Sequence, residues 1–356
     1  MERSIRVAQY GIGKQGSLLI DYLSRRPGVE LVAAFARSSA QIGLDAGTAA
    51  GIGPIGVTVD DSARAEEILA QRGVDVCIMA TTGSIRSARE GLLACARAKV
   101  NVITIGAEAA WPWFTDPVGA KELDEAFRAN GVTLLGSGFP DVYWGSVVSI
   151  LAAGSATVRE LIGISCHAYD ERYSEAELRA HGIGDTPEQF AQRTDPAAGF
   201  DRLPGDPVGM IAGALGLHEL GHSVSTSGII ADADIEVPGR MTVRRGEVCG
   251  FNIRDAVETK EGMHLEFNVQ TRVCDPAEHR PAEQTIWTLN GYPHVKMTLD
   301  GYDGQKFTSA IPVNRLPDVM NARPGLVTRD QLPALNYRVR PLNEYVREGK
   351  EGSDET

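Results

Sequence analysis

From Ile5 onward, short apolar runs alternate with amphipathic stretches. IRVAQYG, VELVAAFAR, VDVCIMATTG, NVITIGAE and VTLLGSG are nearly continuous in apolar residues. Between them SLLIDYLSRR, SARAEEILAQRG, SIRSAREGLLACARAK and AKELDEAFRANG repeat apolar residues at helical spacing. Buried strands regularly interleaved with helices predict a parallel sheet covered on both faces, the doubly wound α/β arrangement. After Gly138 the rhythm changes. FPDVYWGSVVSILAAGS predicts a helix leaving the sheet, and TVRELIGISCHAYDERY, SVSTSGIIADADIEV, EVCGFNIRDAVE, MHLEFNVQTRV and HVKMTLDG predict an open, mostly antiparallel sheet. One helical insertion is expected near Pro207 to Leu217. KFTSAIPVNRLPDVMNARPGLVT predicts the end of the last strand, a helix from about Asn314 and a stop at Pro324-Gly325.

The loop between the first strand and the first helix reads GIGKQG, residues Gly11, Ile12, Gly13, Lys14, Gln15 and Gly16. G-x-G-x-x-G in the strand-to-helix context is the dinucleotide fingerprint. Gly11 permits the tight turn, Gly13 lets the backbone approach a pyrophosphate, and Gly16 lets the helix pack close to its strand. The fold class is therefore α/β: a Rossmann doubly wound parallel sheet plus a second α+β domain with the open sheet. The expected boundaries are 1–140 for the NAD(P)-binding domain and 141–307 for a substrate-binding and dimerisation domain. Residues 308–342 are expected to return to the first domain, and 343–356 to form a polar tail. An open sheet has a face to cover, so a homodimer is expected.

Where an acid at the end of the second strand would hold the ribose hydroxyls of NAD, the chain reads Phe35-Ala36-Arg37-Ser38-Ser39. Arg37 and Ser38 suit a 2′-phosphate, so NADP(H) is favoured and NAD(H) stays open. The competing reading of Arg37 is a solvated surface arginine. Thr81, Thr82 and Gly83 end the strand after VDVCIM and are assigned to the nicotinamide side, with Ser84 as a helix N-cap in the competing reading.

Composition narrows the partners. The formal net charge of −12 leaves no basic footprint for nucleic acid or an anionic membrane surface. No apolar run of about 18 residues offers to span a bilayer, and MERSIRVAQYG enters a strand without a signal-like apolar core. Cys77, Cys95, Cys166, Cys249 and Cys274 are odd in number and never spaced CxxC, which fits neither a disulfide framework nor a zinc knuckle. A cytoplasmic protein is expected. His218-Glu219-Leu220-Gly221-His222 matches H-E-x-x-H, which on a helix would give two zinc ligands and a general base. Gly221 is a poor helix-interior residue and SVSTSGII after it is strand-like, so the shared helical face fails and no metal is expected.

With these pieces placed, the chain resembles the native amine dehydrogenases, a group related to 2,4-diaminopentanoate dehydrogenase and more distantly to dihydrodipicolinate reductase. GIGKQG, ITIGAEAAWP, LLGSGFPDVYWG and IPVNRLPDVMNARPGLVT carry the resemblance, which covers almost the whole chain. It implies reversible NAD(P)H-dependent reductive amination: a small aliphatic ketone or aldehyde condenses with ammonia, and the imine or iminium takes hydride to give a primary amine. It also implies that Glu108, just after the fifth strand, is catalytic. An iminium carbon accepts hydride well only while its nitrogen is charged, and a carboxylate in a dry pocket stabilises that cation. It can also move the protons of the condensation. Read from its neighbours alone, Glu108 equally suits a cap on the turn near Pro112.

The pocket candidates are Phe139, Pro140 and Trp144 at the domain exit and Tyr169 and Tyr173 after the first strand of the second domain, two sets that could close on one cleft. A plain core role is as good a reading for each aromatic. Thr308, Asn314 and His264 are further candidates, with an N-cap as the competing role for Asn314 and a satisfied strand histidine for His264, as for His167. The double histidine and lysine of dihydrodipicolinate reductases are missing, Glu108-Ala109-Ala110 stands where sugar dehydrogenases show Glu-Lys-Pro, and neither Cys166 nor Cys249 sits in a nucleophile motif. Two alternatives remain: a 2,4-diaminopentanoate dehydrogenase-like oxidoreductase for an amino acid or diamine, which needs an extra charged pocket residue, and an NADP(H)-binding sensor without turnover.

Overall fold

The computed structural model describes residues 3–169, 173–194, 205–273 and 283–347. In its first part β1 (Ile5–Tyr10), α1 (Lys14–Arg25), β2 (Val29–Ala36), α2 (Ala46–Ala49), β3 (Val59–Asp61), α3 (Ala65–Gln71), β4 (Val76–Met79), α4 (Ile85–Arg97), β5 (Asn101–Thr104), α5 (Pro117–Ala129) and β6 (Thr133–Gly136) follow one another. The burial of β4 explains its unbroken apolar sequence. Cys77 and Met79 point into one apolar layer with Phe35, Leu92 and Phe127, while Val76 and Ile78 point into another with Leu19, Ile20 and Leu135. Helices cover both faces, so no position of the strand needs to be polar.

The chain then runs through a π-helical turn, Pro140–Ser146, into α6 (Val147–Ala152). β7 (Thr157–Tyr169), α7 (Glu175–Ala180), α8 (Pro187–Arg193), α9 (Pro207–Leu215), β8 (Glu219–Ile230), β9 (Ile235–Val237), β10 (Met241–Val243), β11 (Val248–Thr259), β12 (His264–Val273), β13 (Glu283–Tyr292) and β14 (Val295–Asp300) follow. Six of these strands form one sheet in the order β14-β13-β7-β12-β11-β8, in which only β7 and β12 run parallel.

Three features depart from the sequence expectation here. The strand read through SVSTSGIIADADIEV ends at Ile230, and β9 pairs instead with β10 as a separate ribbon. β13, in EQTIWTLNGY, is an additional strand between β14 and β7. α7 and α8 are additional helices, each opened by a capping box, Ser174 with Glu177 and Thr186 with Gln189. Cys274 and residues 170–172 of the expected strand TVRELIGISCHAYDERY lie outside the described residues.

The return segment holds the largest correction. α10 (Gly304–Asn321) begins ten residues before Asn314, so Asn314 is mid-helical and Thr308 is helical rather than at a strand end. Pro312 and Pro317 sit inside this helix. Each removes one ladder hydrogen bond, and the burial of Ile311, Val313, Leu316 and Val319 keeps the segment helical. β15 (Gly325–Val327) then adds to β6, completing an all-parallel sheet in the order β15-β6-β5-β4-β1-β2-β3. The chain divides into two compact units, residues 1–146 with 304–356, and residues 147–303. Among the described residues no helix is long and apolar enough to cross a membrane.

Candidate active site

The glycine loop crosses the carboxyl edge of the parallel sheet, between β1 and α1. Gly11 has φ +93°, and a Cβ there would lie 2.4 Å from the carbonyl oxygen of Ala80. A Cβ on Gly16 would lie 2.0 Å from the Gly11 carbonyl oxygen. Both positions therefore exclude a side chain, one by conformation and contact and the other by contact alone. Gly13 differs, because nothing lies within 4 Å of a Cβ placed on it. It is also the N-cap of α1 and supplies no capping side chain. An open, uncapped helix N-terminus is a cradle for an anion, which is what a dinucleotide pyrophosphate requires. The loop is braced from outside: Gln41 donates to the Ile12 carbonyl at 2.8 Å, and Ser309 of α10 donates to Gln15 Oε1 at 2.7 Å.

Arg37 and Ser38 follow β2 directly and are exposed. No hydrogen bond or ion pair engages Arg37 among the described residues, so its guanidinium is available to a ligand phosphate.

Glu108 sits in a 3₁₀ turn, Ala107–Ala110, after β5. Two glycines press this turn into place. A Cβ on Gly106 would meet the Thr82 carbonyl oxygen at 2.7 Å, and one on Gly136 would meet the Ala109 carbonyl carbon at 2.1 Å. The Glu108 N–H donates to the Gly83 carbonyl at 3.3 Å, and its carboxylate accepts from the Ile85 N–H at 2.7 Å. Glu108 is thus joined at two points to the segment holding Thr81, Thr82 and Gly83. The helix it caps is α4, not the turn near Pro112.

Beyond β6, Phe139 stacks on Tyr143 with centroids 4.8 Å apart and meets Trp144 edge-on at 5.7 Å. Tyr143 in turn stacks on Phe307 of α10 at 5.2 Å. Thr308 lies beside Gly138. Phe139, Pro140, Trp144 and Thr308 therefore gather in one region, with Tyr143 and Phe307 as members that sequence reasoning missed. Beneath them lies a buried ion network. Arg315 donates to both Asp141 oxygens, at 3.0 and 3.1 Å, and to Asp318, at 3.2 Å. Ser137 also donates to Asp141, and Arg338 to Asp318. Charged residues inside the apolar runs FPDVYWG and NRLPDVMN were the available signal for this network.

Asn314 is not part of this group. Its amide accepts from Arg26, at the C-terminal end of α1, and donates to the Ala310 carbonyl. In the second unit Tyr169 is buried in an apolar cluster with Phe190 and Phe251. Its hydroxyl bonds His181 Nδ1 at 2.7 Å, its ring meets Tyr173 edge-on, and burial with the neighbouring Tyr173 raises its pKa. His264 is on the opposite sheet face from Tyr169 by strand alternation and register. It lies between Glu258 and Glu266, at 2.6 and 3.5 Å. The two ends of the H-E-x-x-H motif separate: His218 is exposed and bonded to Glu261, whereas His222 is a buried strand residue.

An all-parallel nucleotide-binding sheet with a glycine cradle, joined to a unit built on a mixed sheet, defines a nicotinamide-dependent oxidoreductase of the dehydrogenase class. The chain belongs to the 2,4-diaminopentanoate dehydrogenase family, whose C-terminal domain model matches residues 145–347; the model for the dihydrodipicolinate reductase N-terminus matches residues 5–107. The chain is similar to 2,4-diaminopentanoate dehydrogenase of Acetoanaerobium sticklandii, 26% identical over 344 residues, covering 92% of this chain and 93% of that protein. Among solved structures it is similar to an amine dehydrogenase from Mycobacterium smegmatis, with TM-score 0.82 and 30% identity over 95% of this chain and 98% of that one. A probable dehydrogenase from Thermotoga maritima, 14% identical with TM-score 0.57 over 92% of each chain, shares the fold.

Proposed function

We propose that the protein is an amine dehydrogenase that catalyses reversible NAD(P)H-dependent reductive amination of small aliphatic ketones or aldehydes with ammonia to primary amines. The observation that carries this reading is the Glu108 carboxylate, fixed at the carboxyl edge of the sheet by the Ile85 N–H. No lysine or histidine accompanies it in Gly106–Trp111. A lone anion suits a reaction whose electrophile is a cation, because it stabilises an iminium more than the neutral carbonyl compound. Its second oxygen can take a proton from ammonium or from the carbinolamine and return it as water leaves.

A bound nicotinamide supplies or takes up the hydride. Gly11, Ile12, Gly13, Lys14, Gln15 and Gly16 hold its pyrophosphate, and Thr81, Thr82 and Gly83 border the ring. Arg37 and Ser38 hold the 2′-phosphate, which favours NADP(H) over NAD(H). Phe139, Pro140, Trp144 and Thr308 form an apolar wall, which matches a substrate with little to hydrogen-bond. The half-buried face of the six-stranded sheet carrying Ile162, Ile164 and Ile286 is the surface for a homodimer. Cytoplasmic pools of ammonia and reduced cofactor suit the reaction.

NADPH oxidation that requires both ammonia and a carbonyl compound tests the proposal. Cofactor binding without turnover against a panel of aliphatic carbonyls would overturn it in favour of a sensor. The relationship to 2,4-diaminopentanoate dehydrogenase motivates the second arm, oxidation of 2,4-diaminopentanoate beside simple primary amines. Preference for the diamino acid would move the substrate class without moving the chemistry.

A further inference from the structure

The second unit contains a buried cluster that the proposed reaction does not use. His222 of β8 is 5% exposed at its side chain. Its Nε2 lies 2.7 Å from Asp255 Oδ1 of β11 and 3.6 Å from Asp206 Oδ1, and its Nδ1 lies 3.3 Å from Glu219 Oε2. One ligand-type atom from each of Asp206, His222 and Asp255 lies within 4.8 Å of the other two. Asp206 and Asp255 are only 3% and 4% exposed. Asp206 Oδ1 accepts the Gly209 N–H and so opens α9, but Asp206 Oδ2 and Asp255 Oδ2 are buried with no hydrogen-bond partner among the described residues.

Two orphaned carboxylate oxygens beside one imidazole are costly as they stand. Three carboxyl groups, those of Asp206, Glu219 and Asp255, surround that ring.

We infer that Asp206, His222 and Asp255 bind a divalent first-row metal ion, with Glu219 holding the imidazole in place. His222 Nε2 hydrogen-bonds Asp255 Oδ1 at 2.7 Å, sharing a proton that an ion would displace, while Nδ1 is buried and Glu219 Oε2, 3.3 Å away, is placed to receive a proton from it, a carboxylate–histidine–metal relay. An ion there would satisfy the orphaned oxygens, with the side chains closing slightly from their 4.8 Å spread to reach ligand distances of about 2.0–2.2 Å. The imidazole favours zinc over calcium or magnesium, and the two carboxylates also admit manganese. Such an ion ties the start of α9 to β8 and β11, so its binding energy adds to the stability of this unit. This is not the H-E-x-x-H arrangement, because His218 lies outside the cluster.

The test uses the full chain, dialysed against chelator and titrated with zinc or manganese chloride, with metal content, calorimetry and thermal melting as readouts. The expected result is about one tightly bound ion per chain and a higher Tm. Asp255→Asn abolishes both effects, and Glu219→Gln, altered at a partly exposed side chain, weakens binding by about 10- to 100-fold. If Asp255→Asn does not fold, wild type and Glu219→Gln carry the comparison. A wild-type chain that retains neither ion, or binding and melting unchanged in the variants, which marks an adventitious ion only, would overturn the site.

Discussion

The Glu108 carboxylate accepts a 2.7 Å hydrogen bond from the backbone N–H of Ile85, the first residue of α4. The same side chain is thus a helix cap and the proposed catalytic carboxylate, and two substitutions separate these roles. Glu108→Gln keeps an oxygen for the Ile85 N–H and should stay near wild-type stability. Glu108→Ala removes the cap and should cost about 1 kcal/mol. Both should lower kcat for reductive amination by roughly 10²- to 10⁴-fold, the usual contribution of a positioned acid or base. Near wild-type turnover in Glu108→Gln would reduce Glu108 to a cap.

The glycine loop offers a sharper contrast between folding and binding. Gly13 has open space at its Cβ position and an ordinary φ of −94°, so Gly13→Ala should fold and lose about 1 kcal/mol, because alanine is a poorer N-cap than glycine. The added methyl would occupy the approach of the pyrophosphate, so the Kd for NADPH should rise steeply. Gly16→Ala would press on the Gly11 carbonyl and should destabilise the chain by about 1–3 kcal/mol. Fluorescence titration beside chemical denaturation reads both, and equal cofactor affinity in Gly13→Ala would contradict the cradle.

Arg37 should discriminate between cofactors. A charge-assisted hydrogen bond to a 2′-phosphate is worth about 1.5–3 kcal/mol, so Arg37→Ala should weaken NADPH binding roughly 10- to 100-fold. NADH has no phosphate at that position and should bind with little change. Equal losses for both cofactors, measured by titration, would return Arg37 to the status of a solvated arginine.

The parallel sheet was legible in the sequence because burial on both faces writes each strand as a continuous apolar run. The glycine loop was legible because each glycine has its own geometric reason. The first ten residues of α10 were hidden because Pro312 opposes local helix formation, and only burial of its apolar residues overrides it. Asn314 was misplaced for the same reason. The buried cluster at His222 escaped notice because its ligand-type atoms come from Asp206, His222 and Asp255, on three separate elements, and no local spacing records that meeting. The second histidine of H-E-x-x-H lies in β8 rather than on a helix, and it meets Asp206 and Asp255 through the fold.

Asp141 and Arg315 form a doubly hydrogen-bonded ion pair with both side chains 1% exposed. Removing one partner leaves a charge buried, so Asp141→Leu alone should cost about 3–5 kcal/mol. Replacing the pair in Asp141→Leu/Arg315→Met should recover most of that loss, since Asp318 keeps Arg338. Urea denaturation of the two single variants and the double variant completes the cycle. An additive double variant would show that the two residues act independently.

Alkaline pH should loosen the second unit through its tyrosines. Burial pushes the Tyr302 hydroxyl up to about 12, against the opposing hydrogen bonds to Thr285 and Ser165, from an ordinary value of 10.0. As pH rises past 10.0, the unfolded chain releases this proton while the folded chain keeps it. The native state then binds more protons, and unfolding free energy falls with pH. The slope per group cannot exceed about 1.4 kcal/mol per pH unit, and the partial exposure of Tyr302 lowers it further. Tyr302→Phe should lose about 1 kcal/mol near neutrality, from the missing 2.9 Å contact with Thr285. It should then lose less stability than wild type above about pH 10. Denaturation midpoints across this range, followed with tyrosinate absorbance, test the sign, and parallel pH profiles for the two proteins would refute it.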